Sequence, residues 1–202
     1  MKQVVRSAFS IAVVVALAAC RDYKNTTSPS YDRSASDDRG GAMLGFSLQV
    51  GNVTGFGPGI VSLTGGGSYD PTTANNDPTK ETTGHGNGGF SCITTVDQLN
   101  LKGCESGQGV RWDTDGLLAS TPFKCTAAEA ARPASTDDHT VVLQAEFYRA
   151  GNGNNESFTA KMIVADHDLD DLRDGVQNIW IQGVGCGEGK VNFSQAGRPF
   201  IN

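Results

Sequence analysis

Apolar residues recur at every second position over much of the chain beyond residue 43, a period that predicts half-buried β-strands. Leu44, Phe46, Leu48 and Val50 alternate with Gly45, Ser47 and Gln49. In residues 139–149, Val141, Leu143, Ala145 and Phe147 share one face, and in residues 157–165 so do Phe158, Ala160, Met162 and Val164. The intervening Ala150-Gly151-Asn152-Gly153-Asn154-Asn155 tolerates positive φ, so the two runs read as a hairpin. Shorter strands are predicted at residues 60–64, 90–95, 110–113, 122–125, 177–184 and 190–194. The first should end at Gly65-Gly66-Gly67. Residues 68–88 contain no Leu, Ile, Val or Phe and read as a long Gly/Thr/Asn-rich loop. One short helix is expected where Thr126 and Glu129 match a capping box, stopped by Pro133. Short strands between glycine turns define an all-β fold, an antiparallel β-sandwich or partly open barrel.

The first 41 residues have a different pattern. Lys2 and Arg6 precede an apolar run at residues 8–18, shorter than the roughly 20 residues a membrane-spanning helix needs. It ends in Leu17-Ala18-Ala19-Cys20, which resembles the lipobox of bacterial lipoproteins. Residues 1–19 are therefore expected to be a lipoprotein signal peptide and Cys20 the lipidated residue. Arg21 follows the cysteine instead of Asp, a pattern that resembles sorting to the outer membrane rather than the inner one. Residues 21–40 contain no Leu, Ile, Val, Met, Phe or Trp and cannot offset their ordering entropy by apolar burial. Residues 20–41 thus read as a lipidated Cys and a tether spanning on the order of 25 Å, and residues 42–202 as a single β domain.

Composition narrows the classes. The 202 residues carry a formal charge of −6, and removing Lys2 and Arg6 with the signal leaves 14 basic and 22 acidic residues, a charge of −8. An acidic body disfavours nucleic acid and anionic lipid as partners. Membrane attachment falls to the acyl chains, each buried methylene contributing about 0.8 kcal/mol. Of the 5 cysteines, Cys92, Cys104, Cys125 and Cys186 remain for an exported, oxidising setting, an even number that reads as two disulfides. Proximity favours Cys92 with Cys104 and Cys125 with Cys186. Zinc held by all four is the rival, but no C-x-x-C pair is present.

Candidate chemistry is sparse. Asp166, Asp168 and Asp170 alternate in a spacing that lets a loop turn several oxygens toward a hard cation such as calcium, although Asp171 and Gln177 stand where an EF-hand needs Gly and Glu. Without a cation the segment is a solvated acidic turn. Trp112 beside Asp113 and Asp115 offers a ring for sugar stacking with two carboxylates for its hydroxyls, or else a core tryptophan. His85, His139 and His167 lie in no H-E-x-x-H, and neither G-x-S-x-G nor a P-loop is present. No catalytic residue is assigned, and no cofactor beyond that calcium ion is expected.

Residues 147–158 and 176–186, with Gly109-Val110-Arg111-Trp112-Asp113, resemble an uncharacterised family of exported bacterial lipoproteins over roughly residues 44–193. That resemblance implies no activity. Leu63-Thr64-Gly65-Gly66-Gly67, the strand at residues 158–166 and Gly189-Lys190-Val191-Asn192-Phe193 are similar to the small secreted β domains called post-COAP-1, from which the four cysteines depart. This likeness implies a β-rich surface module and carries over no site residues. The expectation is a lipid-anchored, non-enzymatic module of the cell envelope with a protein or glycan partner. An envelope glycan hydrolase and a calcium-dependent adhesion module are the alternatives.

Overall fold

The computed structural model describes residues 43–96, 103–150, 155–170 and 175–195. The expected signal peptide, Cys20 and the tether lie outside them, as do residues 151–154 of the hairpin turn and residues 171–174 of the acidic run. The described strands are β1 (Leu44–Gly55), β2 (Val61–Tyr69), β3 (Gly84–Cys92), β4 (Arg111–Leu117), β5 (Ser120–Phe123), β6 (Arg132–Ser135), β7 (Thr140–Ala150), β8 (Asn155–Ala165), β9 (Ile179–Ile181), β10 (Gly185–Gly187) and β11 (Gly189–Gln195). Among the described residues the single helical element is a 3-10 turn, Pro71–Thr73. The short helix expected at Thr126 to Glu129 is instead one turn. Glu129 does close back as a capping box would, accepting from the Cys125 N–H and the Thr126 hydroxyl, but the chain then enters β6 at Arg132.

Strands β1, β2, β3, β4, β7, β8, β9 and β10 pair in that order, all antiparallel, and β10 pairs back onto β1 through Thr54 with Cys186 and Gly55 with Gly185. The sheet closes into an eight-stranded barrel. Strand β11 continues along β1 from Val50 opposite Gly189 to Leu44 opposite Gln195. Alternation places Phe46, Leu63, Leu143, Phe147, Met162 and Ile181 inside, each 2% exposed or less. A barrel of eight strands has a lumen just wide enough for side chains to fill it. The interior is apolar and the wall carries residues such as Gln49, Arg111 and Lys190, the reverse of a lipid-embedded barrel.

The glycine triplet lies inside β2 rather than at its end, and β3 begins at Gly84, so the long loop shrinks to residues 70–83. The reason is steric. Gly65 adopts a φ of 147° and a Cβ there would sit 2.8 Å from Cζ2 of Trp112, which covers the glycine and donates its indole N–H to the Thr64 carbonyl. Glycines at such sites let a sheet curl tightly while one large aromatic fills the space left behind.

A second layer covers part of the wall. Strands β5 and β6 form a separate hairpin whose Phe123 and Ala134 pack with Val142, Ile163, Ala165, Leu169 and Trp180, residues that point outward from β7, β8 and β9 or from the segment between β8 and β9. These barrel strands are buried on both faces there. Cys125 with Cys186 ties this hairpin to the barrel, and Cys92 with Cys104 closes the connection after β3.

Candidate functional site

The barrel lumen is packed, so the sites open to a ligand lie on its wall. Between β4 and β7 the register runs from Arg111 opposite Tyr148 to Thr114 opposite Ala145, and then Gly116, not Asp115, stands opposite Gln144. Asp115 is the extra residue of a β-bulge, a device that re-aims a side chain. It lines a cleft of about 510 Å³.

The opposite wall of this cleft is the 70–83 loop, and its sequence explains why it is held there. Asp70 Oδ1 accepts from the N–H and hydroxyl of Thr72, starting the 3-10 turn. Asn75 donates its N–H to the Leu117 carbonyl, and the Leu117 N–H donates to Thr82 Oγ1. Asn76 and Ser120 exchange two bonds, from Asn76 Nδ2 to Ser120 Oγ and from the Ser120 N–H to Asn76 Oδ1, both 3.2 Å. The loop is thus stitched to β4 and β5 by residues that also face the cleft. Asp77, Lys80, Asp115, Gln144 and Lys161 supply polar and charged groups of both signs, over Leu117 and Pro122. The N–H and hydroxyl of Thr79 bind Asp77 and hold its carboxyl below the usual carboxylate value, so it is charged at neutral pH.

Beside it lies a mostly apolar pocket of about 290 Å³, lined by Phe56, Phe123, Trp180 and the shared residues Pro122 and Lys161. Trp180 is anchored by its indole N–H to the Lys124 carbonyl, and the Lys124 ammonium lies 5.6 Å over the Phe56 ring. Lys161 pairs with Gln144 across β7 and β8, and its backbone is pinned to Gln182 by reciprocal bonds. Among the described residues no carboxylate forms an ion pair with its ammonium.

The residues singled out from sequence have separate fates. Trp112 is fully buried in the barrel and shows no face to a surface ligand. Asp113 pairs with Arg111 at 3.2 Å on the wall, and only Asp115 reaches the cleft. Asp166 binds His139 Nδ1 at 2.7 Å and holds that imidazole above its ordinary pKa, chiefly through this hydrogen bond. Asp168 Oδ1 accepts from the N–H groups of Asp170 and Gln177. Asp170 is buried and pairs with Arg132 Nη2 at 3.3 Å. Among the described residues the three aspartates do not gather their oxygens within 4.8 Å of one another. The group that does gather is Cys125, Glu129 and Asp170, but the Cys125 sulfur is committed to its disulfide.

Lys80, Gln144, Lys161 and the Asn75, Asn76 pair were not distinguishable in the sequence. The signal available was the length of the loop and its Asn-Asn-Asp-Pro punctuation. Fold and site together define a small disulfide-linked β-barrel with a polar cleft and an apolar pocket on its outer wall. No protein-family model, curated protein or solved structure matches the chain.

Proposed function

We propose that the chain is a lipid-anchored binding module of the bacterial cell envelope, attached through Cys20 to the outer rather than the inner membrane. It presents the cleft between the 70–83 loop and β4 and β5 to a protein or glycan partner. The observation that carries this reading is the bulge at Asp115 facing a stitched loop across about 510 Å³, on a barrel whose own lumen is filled. Contact residues on loops held by a rigid sheet are the usual construction of a recognition surface. Among the described residues the large hydrophobic side chains that are exposed are the scattered Ile93, Val110 and Val176, so the acyl chains on Cys20 supply the attachment.

Two measurements test it. The mature N-terminus of the protein from native membranes should carry a diacylglyceryl Cys20, and C20A should leave the membrane fraction; an unmodified Cys20 in membranes contradicts the anchor. Fractionated envelope glycans and peptides titrated into the full chain should shift the amide resonances of Asp115, Ser120 and Gln144. Shifts confined to the far wall around Gln49 and Lys190 contradict the cleft. Asp77 and Asp115 face the same cleft, so the runner-up is a glycan hydrolase; release of new reducing ends in those titrations, abolished by D115N, would replace the binding reading.

A further inference from the structure

We infer that the apolar pocket and the polar cleft together receive the C-terminal end of a polypeptide with an apolar last residue. This rests on the reading of the outer wall as a binding surface. The last side chain occupies the pocket, its α-carboxylate meets Lys161, and the preceding backbone lies in the cleft.

Three features lead there. The pocket, at about 290 Å³, is larger than the roughly 150 Å³ that accommodates benzene. Its Phe56, Phe123 and Trp180 give it an aromatic lining, with Phe123 and Trp180 already packed edge to face at 6.1 Å between ring centroids. Lys161 stands at the junction, since it lines both pocket and cleft, and it is half-buried with no carboxylate partner among the described residues. An ammonium at the mouth of an apolar pocket without an acid beside it favours an anionic ligand group, and a carboxylate accepts a charge-assisted bond from it.

The neighbouring cleft decides what carries that carboxylate. Gln144 offers a side-chain amide, and the Asn75 and Asn76 amides keep donor and acceptor capacity beyond their bonds to Asp77 and Ser120, where a fatty acid or a lone aromatic acid would place nothing. A peptide chain fills that arm with its own N–H and C=O groups. The tetrahedral Cα of a C-terminal residue sends side chain, carboxylate and chain in three directions, and the site offers three matching receptors around Lys161. Asp77 and Asp115, which line the same cleft with Lys80, add a preference for a basic or N-terminal amino group upstream.

The test is calorimetric titration of the full-length protein in detergent with Ala-Ala-Phe, its C-terminal amide, Ala-Ala-Ala and 3-phenylpropionate. The free acid should bind at least about tenfold more tightly than the amide, than Ala-Ala-Ala and than 3-phenylpropionate. K161Q should erase the preference for acid over amide, and F56A the preference for Phe over Ala while keeping that for the acid; matching thermal melts establish that both variants fold. Equal binding of acid and amide, saturable binding of 3-phenylpropionate as tight as that of the tripeptide, no saturable binding, or a K161Q protein that keeps its acid preference overturns the inference. If all four probes fail while photo-crosslinking from position 115 still captures a partner, this inference falls and the binding-surface reading stands; if both fail, both fall.

Discussion

Gly65 and Gly51 both lie in strands of the barrel, yet an added methyl group meets opposite surroundings. At Gly65, with φ at 147°, it meets the Asn87 carbonyl oxygen first and then Gly88 Cα and the Trp112 ring, both at 2.8 Å, whereas at Gly51 nothing lies within 4 Å. G65A should therefore lower unfolding free energy by more than about 1 kcal/mol, and G51A should change it by less than about 0.5 kcal/mol. Urea denaturation of the two variants checks this, and equal effects would contradict the close packing around Gly65. His139 gives a pH-dependent prediction. Its pKa is raised in the fold by the Asp166 hydrogen bond first and by the charges of Asp166, Asp137 and Asp138 after it. Its contribution to stability is therefore complete below the unfolded value of about 6.5 and is lost as pH rises through the raised folded value. D166N should bring the His139 titration midpoint, followed by NMR, down toward the unfolded value and flatten stability across that window; an unmoved midpoint contradicts the pairing. Trp112 was readable as a core tryptophan because hydrophobic strands surround it in sequence. The different aims of Asp113 and Asp115 were not readable, because a one-residue bulge leaves no periodic trace in so short a strand.

The long strands were legible because only one of their faces is buried over much of their length, which makes the alternation of Leu143, Ala145 and Phe147 clean. The same strands carried a second message in their continuous apolar runs. Val141-Val142-Leu143, Met162-Ile163-Val164-Ala165 and Ile179-Trp180-Ile181 are the stretches buried on both faces under the β5–β6 hairpin. Strand β6 itself, Arg132-Pro133-Ala134-Ser135, was missed because four residues with a proline have no period to read. Pro122 and Pro133 stand opposite each other in the hairpin, at a pair from which the ladder asks no N–H. The hairpin is held to the barrel by its small apolar cluster and the Cys125 to Cys186 bridge. Replacing both cysteines by alanine should cost about 2–4 kcal/mol and raise hydrogen exchange selectively in residues 120–135, while β1 to β3 stay protected. Uniform loss of protection would mean that hairpin and barrel unfold as one unit.

Closure of the sheet explains how a chain with 26 glycines and few aromatics builds a filled barrel from its described residues. Glycines tighten the β1, β2 and β3 side, Trp112 and Phe46 lie against Gly65 and Gly86, and β10 seals the seam with β1. With the lumen filled, the proposed recognition surface lies on the wall, where the bulge, the stitched loop and the covering hairpin meet around Asp115 and Lys161. Sequence periodicity could not place that meeting point, since its residues come from seven separate stretches and none is unusual in its own neighbourhood. A photo-reactive amino acid at position 115 of the full-length protein in native membranes, compared with one at exposed Glu105, locates recognition on the intact molecule. A discrete adduct should form from position 115, weaken in K161Q and be absent from position 105. No adduct from position 115, or the same adducts from both positions, would contradict recognition at the cleft.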